Sequence, residues 1–222
     1  MYKVNLSIKQ LMKHLISSLF LLLFFSCDNE KILQLPEIDH TEITEILDVS
    51  PAYVFYDVTK PDSVELNRKN LIISTNWLVN VDKRLNLNQA LPSIIFIQNK
   101  KRDSEMHKND AAKNFYTCHY KKINNLGFID FTNTYYHLEP LEEYASGQNI
   151  KNYHVINFNS DSIFTDTKSI KLNQLKPLDS INSKVFLRFD KSMSFQKYIS
   201  YKEQLSKIDL DKLNIDNDEF IY

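Results

Sequence analysis

Residues 71–82, Leu-Ile-Ile-Ser-Thr-Asn-Trp-Leu-Val-Asn-Val-Asp, contain the most regular hydropathy pattern of the chain. Every second residue from the first leucine onward is apolar or threonine, and the positions between include Ser74 and Asn80. A period of two residues is typical of a β-strand that buries one face. The stretch therefore predicts a strand or hairpin, with Trp77 as the core residue of its buried face.

The other periodic segments predict both strands and helices. Strands are predicted at 52–58, 126–136, 153–158, 162–165, 185–189 and 220–222. Helices are predicted at 43–47, 87–102, 170–178 and 194–208, and residues 98–125 as a helix or a long loop with a solvated face. The run 94–97 also suits a buried strand, although a helix is preferred there. The pattern predicts an α+β fold with small mixed or antiparallel sheets and helices packed on one face.

A short motif recurs in the two parts of the chain. Leu87-Asn88-Gln89-x-x-Pro92 is repeated 85 positions later as Leu172-Asn173-Gln174-x-x-Pro177. Four shared residues in a biased composition fit chance as well as they fit a duplicated α+β half. The predicted divisions are a leader, a tether with a short helix, an N-terminal half and a C-terminal half, at residues 1–26, 27–50, 51–148 and 149–222.

The first residues have the features of an export signal. Lysines at positions 3, 9 and 13 precede an apolar run at 16–25, and no acid occurs before Asp28. A charged start, a short apolar core and a small residue at the cut are typical of a secretory signal peptide. The apolar core is shorter than the roughly 20 residues of a membrane-spanning helix.

Because it ends on Ser26-Cys27, this segment resembles the signal of bacterial lipoproteins. The resemblance implies that residues 1–26 are removed and that Cys27 carries the lipid that anchors the protein to the membrane. Asp28 and Glu30 resemble the export signal of surface lipoproteins in the Bacteroidetes group. Together these resemblances imply an envelope protein at the outer membrane, on its periplasmic face or at the cell surface. An ordinary signal peptide, or a tethering helix with an incidental cysteine, is the alternative.

Composition excludes several classes of function. The formal charge of −1 becomes −4 without the three lysines of the signal, so no nucleic-acid partner is expected. With Cys27 acylated, Cys118 is the one cysteine left in the sequence and is expected to be a buried small side chain. The sequence has only Gly127 and Gly147, whereas phosphate loops, dinucleotide fingerprints and nucleophile elbows need two or more glycines at fixed spacing.

Residues 150–222 have a second resemblance. Two strands around an Asp161 turn are followed by Lys171-Leu172-x-x-Leu175, by Val185-x-Leu187-x-Phe189-Asp190, by an amphipathic helix and by a final strand. This order resembles the periplasmic domain of the ExbD/TolR biopolymer-transport family. Residues 16–25 contain no acid, so the resemblance implies the binding module of that family without its proton pathway.

Several polar residues could form a functional site. His107, Cys118 and His119 offer metal-ligand chemistry, but neighbours on a strand point to opposite faces, so a packed cysteine and a surface histidine are expected. Four carboxylates could support glycoside hydrolysis: Glu142, Asp161, Asp166 and Asp190. Asp161 and Asp190 occupy positions where turns favour aspartate, so the turn interpretation is preferred for them. The tyrosines that could form an exposed patch are interpreted mainly as strand-face core: Tyr116, Tyr120, Tyr135 and Tyr136. Residues 100–102, Lys-Lys-Arg, are expected to be a solvated helix end.

The sequence thus predicts a membrane-anchored lipoprotein that acts as a non-enzymatic binding or assembly component of the envelope. No catalytic residue, cofactor or metal is predicted, and the expected partners are the membrane, through Cys27, and an envelope protein. The alternatives are a carboxylate-dependent hydrolase of envelope or extracellular polymer, and an accessory to ExbD/TolR-type energy-transducing transport.

Overall fold

The computed structural model describes residues 31–106, 109–165, 168–172, 184–208 and 214–222. These residues form twelve strands and three helices, and all of these elements lie in the compact unit Leu33–Tyr222. The strands make two mixed six-stranded sheets, which confirms the predicted α+β class. Within the described ranges, no helix is both long enough and apolar enough to cross a membrane.

The first sheet is organised around the strand that contains Trp77. Its strands are β1 (Glu37–Ile38), β2 (Val49–Tyr56), β3 (Val64–Asn67), β4 (Asn76–Val81), β5 (Asn114–Tyr120) and β6 (Asn125–Asp130). Strand β4 lies between β2 and β5 and is parallel to both. Strands β3 and β6 form antiparallel hairpins with β2 and β5, and β1 runs parallel beside the end of β5. Trp77 is fully buried, as the alternation predicted.

The second sheet has the order β10-β9-β8-β11-β12-β7. Its strands are β7 (Tyr135–His137), β8 (Tyr153–Phe158), β9 (Ile163–Phe164), β10 (Ser169–Ile170), β11 (Lys184–Phe189) and β12 (Ile215–Ile221). Strand β11 lies between β8 and β12 and is parallel to both, whereas β8 and β9 form an antiparallel hairpin. The predicted strands at 153–158, 162–165 and 185–189 are therefore confirmed.

The two longer helices connect parallel strands. They are α1 (Leu87–Arg102), between β4 and β5, and α3 (Phe195–Ser206), between β11 and β12. Helix α1 begins with a capping box, in which Asn86 and Gln89 exchange side chain to backbone hydrogen bonds. Helix α3 begins at Ser194, whose side chain accepts from the Lys197 N–H. These caps start both helices within one residue of the predicted positions.

One apolar core is shared by the two halves. It combines α1, α3 and the face that each sheet turns toward them, which we call the inner face. The third helix, α2 (Leu141–Gly147), packs on the outer face of the second sheet, where Leu141 lies in a separate cluster with Val155, Phe186 and Phe220. Since β7 pairs with β12, both β7 and α2 belong to the second sheet although they precede residue 149.

The two halves repeat one arrangement. In each, a parallel strand with an antiparallel hairpin partner is followed by a central strand, a turn, a helix and a third parallel strand. The turn sequences also match: Val81-Asp82-Lys83-Arg84-Leu85-Asn86-Leu87 corresponds to Phe189-Asp190-Lys191-Ser192-Met193-Ser194-Phe195, 108 positions later. The recurrence at 85 positions does not connect equivalent elements, because Leu87 begins α1 whereas Leu172 follows β10.

Two helical predictions are wrong. Residues 43–47 are not helical, because Thr41 and Ile43 bond instead to the backbone of Phe128 on β6. This segment lies so close to β6 that a Cβ on Gly127 would come within 2.7 Å of Thr41 Cγ2. Residues 114–120 form the strand β5, not a helix or loop, and burial on both faces removes the alternation that marks a half-exposed strand. The predicted helix at 170–178 begins in β10, and its residues 173–178 lie outside the described ranges.

A candidate binding site at the junction of the two halves

Two equivalent loops meet where the halves join. The first junction loop (residues 82–86) connects β4 to α1, and the second junction loop (residues 190–194) connects β11 to α3. The N–H of Asp82 donates to Val54 and that of Asp190 to Phe158, each at 2.9 Å, on the neighbouring parallel strand. Both loops therefore lie at the carboxyl edges of their parallel strands, where open α/β sheets commonly bind ligands.

Each junction loop caps the helix of the other half. The first N–H groups of an α-helix have no acceptor within the helix, and here carbonyls of the opposite loop accept them. Asn86 and Ser194, which are equivalent residues, also form an antiparallel bridge with each other. The capping bonds run from Leu87 to Met193 (2.9 Å), from Phe195 to Leu85 (2.6 Å), from Asn88 to Lys191 (3.0 Å) and from Gln196 to Lys83 (3.3 Å). Since every bond has a counterpart with the halves exchanged, the junction has pseudo-twofold symmetry.

The pseudo-twofold symmetry gives the junction two equivalent sites, one on each side. On one side, the site is filled by a segment of the chain itself. The segment Gln34–Asp39, which we call the strap, lies in extended form across the first junction loop. The Gln196 side chain binds both backbone groups of Glu37, accepting from its N–H at 2.8 Å and donating to its C=O at 2.9 Å. Lys83 Nζ pairs with Glu37 Oε1 at 2.6 Å, and the Lys83 N–H donates to the Gln34 carbonyl at 2.8 Å. One residue from each half thus holds the strap.

An ion pair with a buried carboxylate supports the strap. Asp82 is fully buried, and Arg84 Nε and Nη2 donate to its two oxygens at 2.9 and 2.7 Å. The Gln34 N–H donates to the same carboxylate at 3.2 Å. Burial alone would raise the pKa of Asp82, but the hydrogen bonds from Arg84 and Gln34 outweigh it and lower the pKa overall. Asp82 is therefore ionised at neutral pH and serves as a fixed acceptor for the strap.

On the other side of the junction lies an open cleft of about 350 Å³. Its lining includes Asn88 and Lys191, the counterparts of Gln196 and Lys83. Among the described residues, neither of these two side chains has a hydrogen-bond or ion-pair partner. The remaining lining residues are Leu138, Glu139, Pro140, Leu141, Arg188, Phe220, Ile221 and Tyr222. The Lys191 N–H donates to the Tyr222 carbonyl, as the Lys83 N–H does to that of Gln34. Within the described ranges, however, a strap that also binds the amide and ammonium side chains lies only across the first site.

The open cleft contains two positively charged side chains, Lys191 and Arg188, that are not fully paired within the described ranges. Arg188 stacks over the Tyr222 ring at 4.8 Å and reaches Glu142 at 3.5 Å, while its buried Nε has no partner within the described ranges. Glu139 is paired with His137 Nδ1 at 3.4 Å. The cleft therefore presents the exposed ammonium of Lys191 and a guanidinium shared with Glu142. It also contains the carboxylate of Glu139, whose contact with His137 is an ion pair only when that imidazole is protonated.

A buried chain of hydroxyl groups joins the halves beneath the junction. The Tyr116 and Tyr136 hydroxyls are 2.7 Å apart, Tyr136 and Tyr198 are 3.0 Å apart, and Tyr198 donates to Glu219 at 2.7 Å. Lys202 forms a short ion pair with the other Glu219 oxygen. Burial, followed by the charge of Glu219, raises the pKa of both Tyr136 and Tyr198, so these hydroxyls stay protonated and act as fixed donors.

Most of the tyrosines weighed as an exposed patch are core residues, as predicted. Tyr116, Tyr120 and Tyr136 are buried, whereas Tyr135 is exposed and lies under the Arg102 guanidinium.

Cys118 and His119, the two described candidates for metal ligands, point to opposite faces of β5. Cys118 is buried on the inner face of β5, where burial raises the pKa of its thiol. Its neighbour His119 points the other way, and its Nε2 lies 3.1 Å from Asn124 Oδ1. His107 lies outside the described ranges, as does Cys27. Within the described part of the chain, no group of three or more His, Cys, Asp or Glu residues is placed to hold a metal ion.

The three described candidate carboxylates have separate partners or face solvent. Asp190 accepts from the backbone and side chain of Ser192 in the second junction loop, and Asp161 is exposed in the β8–β9 turn, so both turn interpretations are confirmed. Glu142 is exposed on α2, and Asp166 lies outside the described residues. The buried carboxylates are others, Asp82, Glu203 and Glu219, and each is ion-paired.

Lys101 was expected in a solvated helix end but is buried. Its Nζ donates to the carbonyls of Thr75 and Lys113, at 3.0 and 2.9 Å, and to Asn114 Oδ1 at 3.2 Å. It also lies 4.9 Å from the centre of the Trp77 ring. Because burial penalises the ammonium, the pKa of Lys101 falls to about 8. Lys101 therefore joins the end of α1 to β4 and β5 through neutral acceptors.

Lys101 should make stability depend on pH. Between its folded pKa of about 8 and the ordinary value of 10.5, the unfolded chain binds more protons, so the free energy of unfolding should rise with pH. We expect the difference between wild type and Lys101→Met to shift in favour of the wild type by about 2 kcal/mol from pH 7 to pH 9.5. Urea denaturation at the two pH values measures it, with Lys100→Met, at an exposed neighbour, as the control. A constant difference would show that Lys101 has an ordinary pKa.

Sequence reasoning missed the four polar residues of the open cleft that matter most, Asn88, Glu139, Arg188 and Lys191. The Asp-Lys recurrence at 108 positions would have identified Lys191 as the counterpart of Lys83. No family model, curated protein or solved structure matches the chain. Functional inference therefore depends on the residues of the site.

Proposed function

We propose that this protein is a lipid-anchored component of the cell envelope that binds a partner at the open cleft without catalysing a reaction. The observation that carries the proposal is the unequal filling of two equivalent sites. The strap occupies the first, whereas the second offers Lys191 and Asn88 side chains that have no partner in the described part of the chain. A concave site with apolar walls and a few polar groups is the usual form of a binding pocket.

The proposed anchor would keep this cleft close to the membrane. Seven residues lead from Cys27 to Gln34, where the strap begins. An extended chain of that length spans at most about 25 Å. A lipid on Cys27 would therefore restrict the domain to partners that are themselves in or near the envelope membrane, which supports a role in assembly.

Photo-crosslinking in cells tests this proposal. We expect a photoreactive amino acid at Leu138, which lines the cleft and is 53% exposed, to give a discrete protein adduct. The same group at Phe96, which is 48% exposed on α1, should not give that adduct. Cys27→Ser should move the protein out of the detergent phase and reduce the Leu138 adduct.

Two results would contradict the proposal. Adducts that are identical from both positions, or missing from both, would remove the binding role. Unchanged detergent partition of Cys27→Ser, with normal processing in the presence of globomycin, would remove the anchor.

A further inference from the structure

The pseudo-twofold symmetry points to the chemistry of the partner. We propose that the open cleft binds an extended peptide segment with an acidic side chain, in the manner in which the first site binds the strap. This inference rests on the proposed function and specifies its ligand class.

The first argument is the equivalence of the binding groups. In the filled site, an amide side chain from the first turn of α3, Gln196, holds the N–H and C=O of one extended residue. In the open site, Asn88 occupies the matching turn of α1 and also has one amide donor and one amide acceptor. Its N–H is fixed by the Lys191 carbonyl, as that of Gln196 is fixed by Lys83. An amide at this position can therefore hold a peptide unit on either side of the junction.

The second argument is charge. Lys83 neutralises Glu37 of the strap, whereas its counterpart Lys191 has no carboxylate partner among the described residues. Arg188 adds a second cation to the cleft, and its buried Nε is an unused donor within those same residues. A carboxylate entering between these groups would gain charge-assisted hydrogen bonds that no described residue supplies.

The third argument is shape. The cleft is bounded on one side by the end of β12 and on the other by the connection from β7 to α2, with Leu138, Pro140 and Phe220 as apolar walls. The strap likewise combines its acid with apolar neighbours, since Pro36 and Ile38 flank Glu37 and are both buried. A segment that alternates apolar residues with one acid suits both the cations and the walls.

The test uses a labelled peptide with the sequence of residues 34–39, Gln-Leu-Pro-Glu-Ile-Asp, acetylated and amidated at its ends. Fluorescence anisotropy measures its binding to the full chain in detergent. We expect Lys191→Glu to weaken binding by about fivefold or more, and Asn88→Ala to weaken it as well. Replacing the peptide glutamate by glutamine should have a similar effect, whereas Lys122→Glu, at an exposed lysine of the β5–β6 turn, should change binding by less than about twofold.

The outcomes separate this inference from the proposed function. If Lys191→Glu binds the peptide as well as Lys122→Glu does, the ligand class is wrong. If Lys83→Glu is the variant that weakens binding, the peptide displaces the strap and the open cleft is not its site. A Leu138 adduct that persists in cells without peptide binding would reject the acidic-peptide class only, and loss of both would reject the binding role itself.

Discussion

Replacing Lys202 by methionine is expected to lower the free energy of unfolding by about 3 kcal/mol, because it leaves the carboxylate of Glu219 buried without its cation. Glu219 is 2% exposed, and its remaining partner is the neutral Tyr198 hydroxyl. The same change at Lys184, whose ion pair with Asp216 is partly exposed, should cost less than about 1 kcal/mol. Equilibrium denaturation in urea compares the two variants.

A double variant shows whether the unpaired charge of Glu219 causes the loss of stability in Lys202→Met. Lys202→Met combined with Glu219→Gln removes both charges while leaving Tyr198 an acceptor of similar shape. We expect it to recover more than half of the lost stability. If the double variant is as unstable as Lys202→Met alone, the loss comes from packing of the lysine stem and not from the buried charge.

Replacing Ile38 by alanine is expected to cost about 3 kcal/mol, the usual range for removing a fully buried isoleucine side chain. Ile38 belongs to the strap, and its carbonyl accepts from the Lys121 N–H at 3.0 Å. The prediction follows from treating the strap as part of the core, although it precedes the first long strand. Thermal and urea denaturation measure the effect.

The matched control lies a few residues earlier in the chain. Ile32 is 77% exposed, so Ile32→Ala should change stability by less than about 0.5 kcal/mol. If Ile38→Ala and Ile32→Ala both change the free energy of unfolding by the same small amount, the strap is not part of the core and can detach from it. In that case the first site would be available to other peptides, and the asymmetry behind the proposed function would be lost.

The strap changes the interpretation of the predicted tether. Residues 27–50 were expected to link an anchor to the domain, yet residues 34–39 of this stretch bind both halves at once. Gln196 and Glu203 of α3 bind the backbone N–H groups of Glu37 and Asp39, while β5 of the first half pairs with the strap in parallel. A force on the predicted lipid anchor would therefore act directly on the junction.

Short-range patterns in the sequence were sufficient to predict β4, α1 and α3. The alternation in 71–82 predicted the buried face of β4, and the apolar patterns of 87–102 and 194–208 predicted α1 and α3 within one residue of their starts. These features depend on side-chain periodicity and on hydrogen bonds between residues three positions apart, which are present in the sequence itself. The scarcity of glycine likewise excluded several nucleotide-binding motifs from composition alone.

Tertiary structure alone decided the site. The Asp39 N–H donates to Glu203 of α3 and the Ile43 carbonyl accepts from Phe128 of β6, so distant partners overrode a local helix signal. Strand β5 lacks a clear alternation because both of its faces are buried. The pairing of Lys83 with Glu37 and the burial of Lys101 depend on partners that are distant in the sequence. The opposition of Asn88 to Lys191 depends on how two repeats 108 residues apart pack together. The sequence by itself determined the α+β class, most of the strands and the starts of α1 and α3. Only the tertiary structure gave the equivalent residues of the two halves different neighbours, so that among the described residues the strap covers the first site and the second is open.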